Sequence, residues 1–459
     1  MSASPNSAKR FSVIRDAVHG DVYLSHEELA ILDTREMQRL RGVKQLGTAF
    51  LVFPGANHTR FEHSIGTLFV TQQVIDAINL NFELDPRRNL GVGEGEARVI
   101  RAAALIHDVT HIPYGHNFED QSGMLPRHDS SERFEAMLGD GTELGQLLSR
   151  QGLVDDVRRI LAPRNTDTAT PPYWSQVLSD TICSDLCDYL ARDAYYTGLN
   201  LSVDPRLVNY FKVDRESGNL YIDLAKRNLL REDILSEIVR TLEARYYFSE
   251  RVYYHHAKVA AGTLVAHAVE LALVRGAVTD QDLFPQTDDS LIELLRSRAN
   301  RLSSDDSRRM LSLLDRFVRR RLPKRVCVYP RHENASAQEE LVRRFFARGQ
   351  FEERSATEYR LSDLARFASG TDIDVLLTCP AARMQLKEVE THVRWPGESR
   401  VRPLADFADR VPRLADLSRA YRDLWKFYVF ADTDDPALLR KLQELAAEEF
   451  SGADNQYTV

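Results

Sequence analysis

The side chains best suited to hold a metal ion are concentrated between residues 58 and 193. His63 stands in the string HTRFEHSIG, His107 and Asp108 are adjacent in ALIHDVTHIPYGH, and Asp185 follows much later in SDLCDYLARD. Imidazole nitrogens with carboxylate oxygens make a mixed ligand set, which suits Mn, Fe, Zn, Ni or Mg and leaves positions open for water and a phosphate oxygen. The sequence therefore predicts a divalent metal centre without fixing the native metal.

The adjacent pair His107 and Asp108 requires a particular backbone. Neighbours on a helix point about 100° apart, so two of them cannot grip one ion from the middle of a helix. Pro113 cannot continue a helix, so residues 109–113 predict a turn directly after the pair. We therefore expect the pair at the end of a helix over 97–107.

The density of histidines argues for function in this part of the chain. A lone histidine such as His63 on an amphipathic helix is more often a satisfied core residue than a ligand. Four of the 13 histidines, however, fall within residues 107–128, beside several acids. Buried imidazoles each need a polar partner, so packing alone is a poor explanation for such a cluster.

Composition restricts the class of protein. At about 100–200 residues per domain, 459 residues allow about two to four domains, and 43% apolar with 28% charged residues is typical of a globular chain. The net charge of −8 disfavours a globally basic nucleic-acid binder, although a local basic patch stays open. Four cysteines make no disulfide framework, and the polar start MSASPNSAKR lacks a signal peptide's apolar stretch.

Apolar periodicity predicts a mostly α chain up to about residue 320, preceded by a small hairpin at 11–24. We predict helices at 27–40, 61–80, 97–107, 177–196, 231–260, 263–274, 290–301 and 307–320. After Pro323 the predicted elements are strands at 326–329, 374–378 and 425–430, then a helix at 435–450. The apolar window 264–274 is too short to span a bilayer, so we predict a cytoplasmic protein without a membrane segment.

The expected organisation has three parts. They are a disordered tail at 1–10, a helical core at 11–325, and a smaller α+β region of uncertain role at 326–459.

Three strings in a fixed order make the chain resemble a known family. They are LDTREMQRLRGVKQLGTAFLVFPGANHTRFEHSIG, LIHDVTHIPYGH and DLCDYLARDAYYTG, with VHGDVYL before them. They resemble the HD-domain deoxynucleoside triphosphate (dNTP) triphosphohydrolases, and among these the SAMHD branch. The resemblance runs from about Val13 to about Lys324 and implies an HD-domain helical core; it leaves the C-terminal region unplaced.

The resemblance implies catalytic and metal-binding roles. The metal would be held by His63, His107, Asp108 and Asp185. The catalytic group would be His128, in PRHDSSERFE, with His111, His116 and Glu119 lining the same pocket. Metal-activated water would attack the α-phosphorus of a dNTP, and a histidine would protonate the departing 5′ oxygen, which yields a deoxynucleoside and inorganic triphosphate.

The resemblance also implies substrate contacts. Triphosphate or sugar contacts would come from Arg60, Arg245, Arg251 and His255. The sugar 3′-OH would be bound by Gln45 and Asp193, with Leu46 and Tyr253 packed where a 2′-OH would sit and Tyr189 under the sugar. Arginines suit a triphosphate of about four negative charges, and apolar bulk at C2′ disfavours ribonucleotides because an unpartnered hydroxyl is costly to bury.

Simpler structural roles remain open for Asp193 and for two residues close to it in the sequence. Asp188 and Arg192 are spaced as an i, i+4 helix pair, which is sufficient to explain both. Asp193 could equally cap the local structure.

A second, regulatory nucleotide pocket is a further expectation. Its matching positions are Val13, Arg15, Asp33, Gln38 and Arg41, where Arg15 replaces an amide, together with Arg320 and Lys324 of RFVRRRLPKR. The last two could equally form a solvated basic face. Acids at Asp233 and Glu237 replace family residues that meet a regulatory triphosphate, and they would repel a polyphosphate.

Two other functions stay open at this stage. One is a phosphomonoesterase or 3′–5′ nuclease on the same metal centre. The other is a nucleotide-sensing or single-strand nucleic-acid-binding module, which the RRRLPKR run would support. The family resemblance adds an expected homodimer or tetramer and an activating nucleotide as partners.

Overall fold

The computed structural model describes residues 11–117, 125–162, 170–380 and 390–459. The predicted tail at 1–10 and the predicted pocket residue Glu119 lie outside the described residues. Within them the chain is mostly α-helical, with small sheets that include one in the C-terminal region, so the predicted fold class is confirmed.

The N-terminal segment is the predicted hairpin. Strands β1 (Ser12–Asp16) and β2 (Gly20–Leu24) pair antiparallel, and a helix, α1 (His26–Leu32), follows at once. The Ser25 hydroxyl accepts the Glu28 backbone N–H while the Glu28 carboxylate accepts that of Ser25, a capping box that fixes where α1 begins. A short helix α2 (Arg35–Arg39) leads towards the core.

The core is built around a long buried helix, α3 (Arg60–Leu84), which packs against α4 (Glu94–Ile106) and α9 (Ser184–Thr197). Between α4 and α9 lie the shorter helices α5 (Ser131–Leu138), α6 (Glu143–Gln151), α7 (Val154–Leu161) and α8 (Tyr173–Ser179). Because α3 is buried on most of its faces, its residues lie between neighbouring elements and are protected from water.

The predicted helix at 177–196 is wrong in one respect, since it is two helices, α8 and α9, separated by residues 180–183. The Thr391 hydroxyl accepts the Ile182 backbone N–H at 3.0 Å and donates to the Asp180 carboxylate at 3.1 Å. The groups released by the break therefore bond to a residue about 200 positions away, which local periodicity does not reveal.

A second boundary also differs from the prediction. Helix α10 (Glu232–Phe248) runs into a π-turn over Ser249–Tyr253, and α11 (His256–Val274) starts after it, so the break lies near residue 255 and not near Gly262. A Cβ at Gly262 would lie 2.4 Å from the Asn117 amide oxygen. Gly262 therefore serves close packing inside α11 and does not end a helix.

Helix α11 has the length and apolar composition of a membrane span, but 72% of its apolar window is buried inside the protein. Such burial is typical of a core helix. The window at 264–274 thus belongs to a helix longer than predicted, and the cytoplasmic location stays a prediction.

The remaining elements include helices and strands that the sequence pattern did not indicate. The helices are α12 (Asp280–Leu283), α13 (Asp288–Arg298), α14 (Ser304–Val318), α15 (Arg331–Phe345), α16 (Phe351–Ser369), α17 (Pro412–Arg422) and α18 (Pro436–Glu449). An antiparallel sheet has the order β8 (Lys324–Pro330), β12 (Lys426–Ala431), β9 (Val375–Thr378), which confirms the three predicted C-terminal strands.

A second sheet joins early and late parts of the chain. It contains β3 (Asn89–Leu90), β4 (Phe211–Asp214), β5 (Leu220–Asp223), β10 (His392–Arg394) and β11 (Arg402–Pro403), while β6 (Ala225–Lys226) and β7 (Leu229–Leu230) form a separate hairpin. Strand β10 pairs parallel with β5 and antiparallel with β11, so the C-terminal region adds two strands to a sheet of earlier residues. The division of the chain at residue 325 stays a prediction.

The C-terminal region is also tied to the core by a buried ion cluster around Glu358 on α16. Its carboxylate accepts from His267 of α11 at 2.8 Å, from Arg309 of α14 at 2.6 Å, and from the Leu377 backbone N–H at 2.9 Å. Glu358 is 1% exposed. This carboxylate thus links α16 to two other helices and a strand.

Candidate metal centre and substrate pocket

The elements that carry the four candidate metal ligands begin or end at the site. Thr59 and Glu62 form a capping box that starts α3 and sets His63 in its first turns. Helix α4 ends at Ile106, so His107 and Asp108 lie at a helix end, as the sequence predicts. Asp185 lies in the first turn of α9.

The structure brings these four side chains together. One donor atom from each of His63, His107 and Asp108 can be chosen within 4.8 Å of the others. The Nε2 atoms of His63 and His107 are 3.2 Å apart, and Asp185 Oδ1 lies 2.9 Å from the first and 3.6 Å from the second. Asp185 is the most exposed of the four, with 32% of its side chain accessible, so the cluster is open on that side.

The donor set fits a divalent metal. His63 Nδ1 is 2.7 Å from Asp188 Oδ2, and His107 Nδ1 is 2.8 Å from the Ala104 carbonyl oxygen. Since each Nδ1–H is committed as a donor, both Nε2 lone pairs are directed to the same place. Their separation is below the roughly 4.2 Å that two bonds of about 2.1 Å can span. The two nitrogens are therefore close enough for one divalent cation to bind both.

The charges of the candidate metal ligands depend on the charged side chains next to them. Arg60 donates to Asp108 Oδ2 at 2.7 Å. Burial disfavours the Asp108 anion, but Arg60 outweighs it and holds the pKa of Asp108 well below its usual range. Burial likewise opposes protonation of His63, yet hydrogen bonds to Asp185 and Asp188 raise its pKa to about 10. The site is therefore organised for positive charge at His63 Nε2, which a metal cation would supply.

Three further predicted pocket residues form a histidine cluster next to the metal ligands. His111 stacks on His128 with ring centroids 3.9 Å apart, and His116 lies 4.9 Å from both. His111 Nε2 is 3.2 Å from Asp108 Oδ1. Burial and the nearby Arg60 cation lower the pKa of His111 well below its usual value, so its ring is neutral. The fourth predicted member, Glu119, lies outside the described residues.

The predicted sugar-binding acid, Asp193, does not cap a helix. Its carboxylate accepts from His58 Nε2 at 2.7 Å and from the Tyr253 hydroxyl at 2.8 Å, and Asp193 is fully buried. His58 in turn stacks on Tyr196. The contacts His58–Asp193 and His63–Asp188 show that the segment entering α3 runs antiparallel to α9.

The side chains predicted to pack against the sugar belong to one apolar cluster. Leu46 is buried in it, and Tyr189 and Tyr253 pack on its edge. Two polar atoms nearby, Gln45 Oε1 and Arg60 Nε, are buried without a hydrogen-bond partner among the described residues. Buried polar atoms are rarely left unpaired, so both atoms are available to bond a bound substrate.

The predicted triphosphate contacts divide into two groups. Arg245 lies near Tyr189, and this interaction raises the pKa of the Arg245 guanidinium. Arg251 is instead 54% exposed, pairs with Glu250 at 3.8 Å, and lies over the Tyr247 ring. His255 caps α11 by accepting the Ala257 N–H. The described contacts bring neither Arg251 nor His255 to the metal ligands.

The predicted regulatory residues are scattered over the surface. Arg15 is 78% exposed and pairs with Asp21, Val13 is exposed on the same strand, and Asp33 is exposed at the end of α1. Arg41 donates to Gln38. Arg320 donates to the Leu51 carbonyl, and Lys324 begins β8. Among the described contacts, none joins Arg320 or Lys324 to the hairpin.

Sequence reasoning missed three residues that support the site. The sequence pattern predicts only a helix pair with Arg192 for Asp188, although Asp188 also contacts His63. The spacing of three residues between Asp185 and Asp188 was the available signal for this contact. His58 went unassigned. Arg39 donates to the backbone carbonyls of Val109 and His111, both at 2.8 Å, and so holds the turn after the metal ligands. Nothing in the sequence marks Arg39 for that contact.

The comparisons with known proteins agree with this geometry. The model of the HD domain matches residues 60–193, a range that contains all four candidate metal ligands, and the model of the HD-associated region matches residues 225–451. The chain therefore contains an HD domain. The resemblance to HD-domain proteins that the three motifs carry is thereby confirmed.

Several relatives are similar over much of this HD-domain chain. An uncharacterized protein from Methanocaldococcus jannaschii is 30% identical over 65% of this chain and 58% of that protein. The deoxynucleoside triphosphate triphosphohydrolase SAMHD1 of Mus musculus is 26% identical over 64% of this chain and 51% of that protein. The SAMHD1 homolog of Dictyostelium discoideum is 28% identical over 69% and 55%. Each relative is matched over less than two thirds of its own length.

Two solved structures share the fold of the HD-domain chain. A hypothetical protein from Aquifex aeolicus has a TM-score of 0.64 and 21% identity, covering 95% of this chain and 99% of that one. A phosphohydrolase from Bacteroides thetaiotaomicron has a TM-score of 0.64 and 20% identity, covering 92% and 99%. The fold therefore extends over nearly the whole chain.

Proposed function

We propose that this chain hydrolyses deoxynucleoside triphosphates at the centre formed by His63, His107, Asp108 and Asp185, releasing a deoxynucleoside and inorganic triphosphate. The observation that carries this proposal is the arrangement along α9. Asp185 lies among the metal donors, and Asp193, eight residues later, lies at the apolar cluster. Eight residues of helix span about 12 Å, so one ligand can reach both with a phosphate at one end and a sugar at the other. The names of the SAMHD1 relatives support the same substrate class.

The metal ligands and their neighbours divide the chemistry between them. A bound divalent metal would supply an activated water and polarise an oxygen of the α-phosphate. Arg60, whose Nε lacks a described partner, would donate to a phosphate oxygen while its other end holds Asp108. His128, stacked on the neutral His111, is the candidate to give a proton to the departing 5′ oxygen.

The pocket around Asp193 would read the sugar. Gln45 Oε1 is a free acceptor for the 3′-OH, and Asp193 is held by His58 and Tyr253 in a fixed orientation. Leu46 and Tyr253 would occupy the space that a 2′-OH needs. An apolar wall rejects an added hydroxyl only moderately, by up to about a hundredfold.

Replacing Leu46 with alanine should therefore weaken sugar selection. We expect the ratio of kcat/KM for a dNTP to that for the matching ribonucleotide to fall by about tenfold, because the smaller side chain leaves room for the hydroxyl and its water. Leu190→Ala, in the same apolar cluster, is the matched control and should leave the ratio unchanged. An equal change in both variants would contradict a specific role for Leu46.

The test of the proposal is a panel of nucleotides and metals. Each of the four dNTPs is incubated with Mn²⁺ or Mg²⁺, alone and with a second nucleotide present, and the products are separated by chromatography. Inorganic triphosphate is the expected product. Orthophosphate or mononucleotides would instead favour a phosphomonoesterase or nuclease. Absence of triphosphate under every condition would overturn the proposal.

Assembly and activation are separate expectations for the same enzyme. The resemblance implies a dimer or tetramer and a regulatory nucleotide, and both stay predictions. Light scattering with substrate and metal present would measure the assembly; a monomer under turnover conditions would contradict it.

A further inference from the structure

Asp188 lies behind the metal centre, on the far side of the His63 ring. It accepts from His63 Nδ1 at 2.7 Å, while His63 Nε2 faces Asp185 and His107. Asp188 is fully buried, so its charge is not exposed to water. A hydrogen bond at one ring nitrogen fixes the proton there and leaves the lone pair of the other nitrogen for a metal.

Two residues of the N-terminal hairpin contact the buried ion pair of Asp188 and Arg192. His19, in the turn after β1, has its Nε2 2.6 Å from Asp188 Oδ1, and its ring stacks on Phe69 of α3 at 4.8 Å. Arg192 donates to Asp188 at 2.9 Å and to Asp16, the last residue of β1, at 2.9 Å. The hairpin is therefore connected through buried charged groups to a candidate metal ligand.

Helix α3 packs closely against the side chain of Asp188. A Cβ at Gly66, one turn after His63 on α3, would lie 1.9 Å from Asp188 Oδ1 and 2.2 Å from the Arg192 guanidinium. Only glycine allows α3 to approach this ion pair so closely. The carboxylate is thus confined between two helices and the hairpin, with its oxygens directed at His63, His19 and Arg192.

A simple helix pair does not explain these contacts. The i, i+4 spacing of Asp188 and Arg192 would account for their mutual hydrogen bonds, but not for the imidazoles of His63 and His19 on the same carboxylate. Both oxygens of Asp188 accept from a histidine and from Arg192. A carboxylate that accepts hydrogen bonds from two imidazole rings at this distance fixes the orientation of both rings.

We infer that Asp188 is a positioning residue for the metal ligand His63, and that His19 of the hairpin holds Asp188 in place. Because it concerns the metal centre of the proposed function, this inference rests on that function for its biological meaning. Metal binding itself can be measured without any nucleotide. The N-terminal hairpin would then contribute to metal retention although none of its residues is a ligand.

The test compares metal affinity in two variants. Asp188→Asn keeps the shape but removes the charge, and His19→Ala removes both the donor towards Asp188 and the stacked ring. The purified proteins, shown to be folded by circular dichroism, are titrated with Co²⁺ or Mn²⁺ against a chelator. We expect the Kd for the metal to rise by about 10–100-fold in Asp188→Asn, the range typical of lost partners of metal-bound histidines, and to rise less in His19→Ala.

A matched control separates positioning from stability. Glu358→Gln perturbs a buried ion cluster away from the site, so it should lower Tm and leave the metal Kd unchanged. An unchanged Kd in folded Asp188→Asn would overturn the inference; if that variant does not fold, an unchanged Kd in His19→Ala would do so. A wild-type protein that binds metal but hydrolyses no dNTP would contradict the proposed function and leave this inference standing.

Discussion

His107→Ala should lower the rate of dNTP hydrolysis by at least about a thousandfold. The variant loses one of two imidazole donors, and the metal's contribution to transition-state charge stabilisation is worth several kcal/mol. Since each 1.36 kcal/mol is tenfold in rate, a loss of about 4 kcal/mol gives a thousandfold. Triphosphate release at saturating dNTP and metal measures the effect.

An exposed histidine provides the control for this variant. His332 is 54% exposed, and its nearest acid, Glu333, is 4.0 Å away. His332→Ala should therefore keep activity within about twofold of the wild type, as expected for a surface substitution. Retention of a tenth or more of the activity by His107→Ala, with an intact Tm, would contradict the assignment of the metal centre.

Glu358→Ala should destabilise the fold by about 3–5 kcal/mol, because it leaves His267 and two arginines buried without their shared carboxylate. Urea denaturation followed by circular dichroism measures the free energy of unfolding. Glu293→Ala is the control, since Glu293 is 69% exposed and its only ion pair among the described residues is with Arg296, one helical turn away. Exposed pairs of this kind contribute less than about 1 kcal/mol.

The effect of Glu358 should depend on pH. Burial disfavours its charge, but the surrounding cations outweigh burial and lower the pKa of Glu358 from 4.5 to about 2. A carboxyl whose pKa is depressed by folding stabilises the protein above its unfolded pKa and loses this contribution as pH falls towards the folded value. The stability gap between wild type and Glu358→Ala should be full above about pH 4.5 and shrink towards pH 2. A gap that is constant over this range would contradict the ion cluster.

Much of the site could be predicted because its residues occur in local strings. His107 and Asp108 were expected at a helix end, since Pro113 forbids a longer helix, and α4 does end at Ile106. The four donors converge as the resemblance implies. Local sequence carries this information because a short motif fixes both the residue types and the backbone on which they stand.

The supporting contacts could not be predicted because they join distant parts of the chain. The residues that contact Asp188 come from positions 19, 63 and 192, and an i, i+4 reading reveals only the last. The same limit applies to the sheet in which β10 pairs with β5, and to Thr391 at the break between α8 and α9. Strands of two to four residues give too little periodicity to detect.

The proposed reaction is tested most directly by hydrolysis in ¹⁸O-labelled water. The protein is incubated with a dNTP and its metal, and the products are separated and weighed by mass spectrometry. Attack of water on the α-phosphorus breaks the bond between phosphorus and the 5′ oxygen, so one ¹⁸O should appear in the inorganic triphosphate and none in the deoxynucleoside. Label in the deoxynucleoside, or in orthophosphate released from the γ position, would contradict the proposed chemistry.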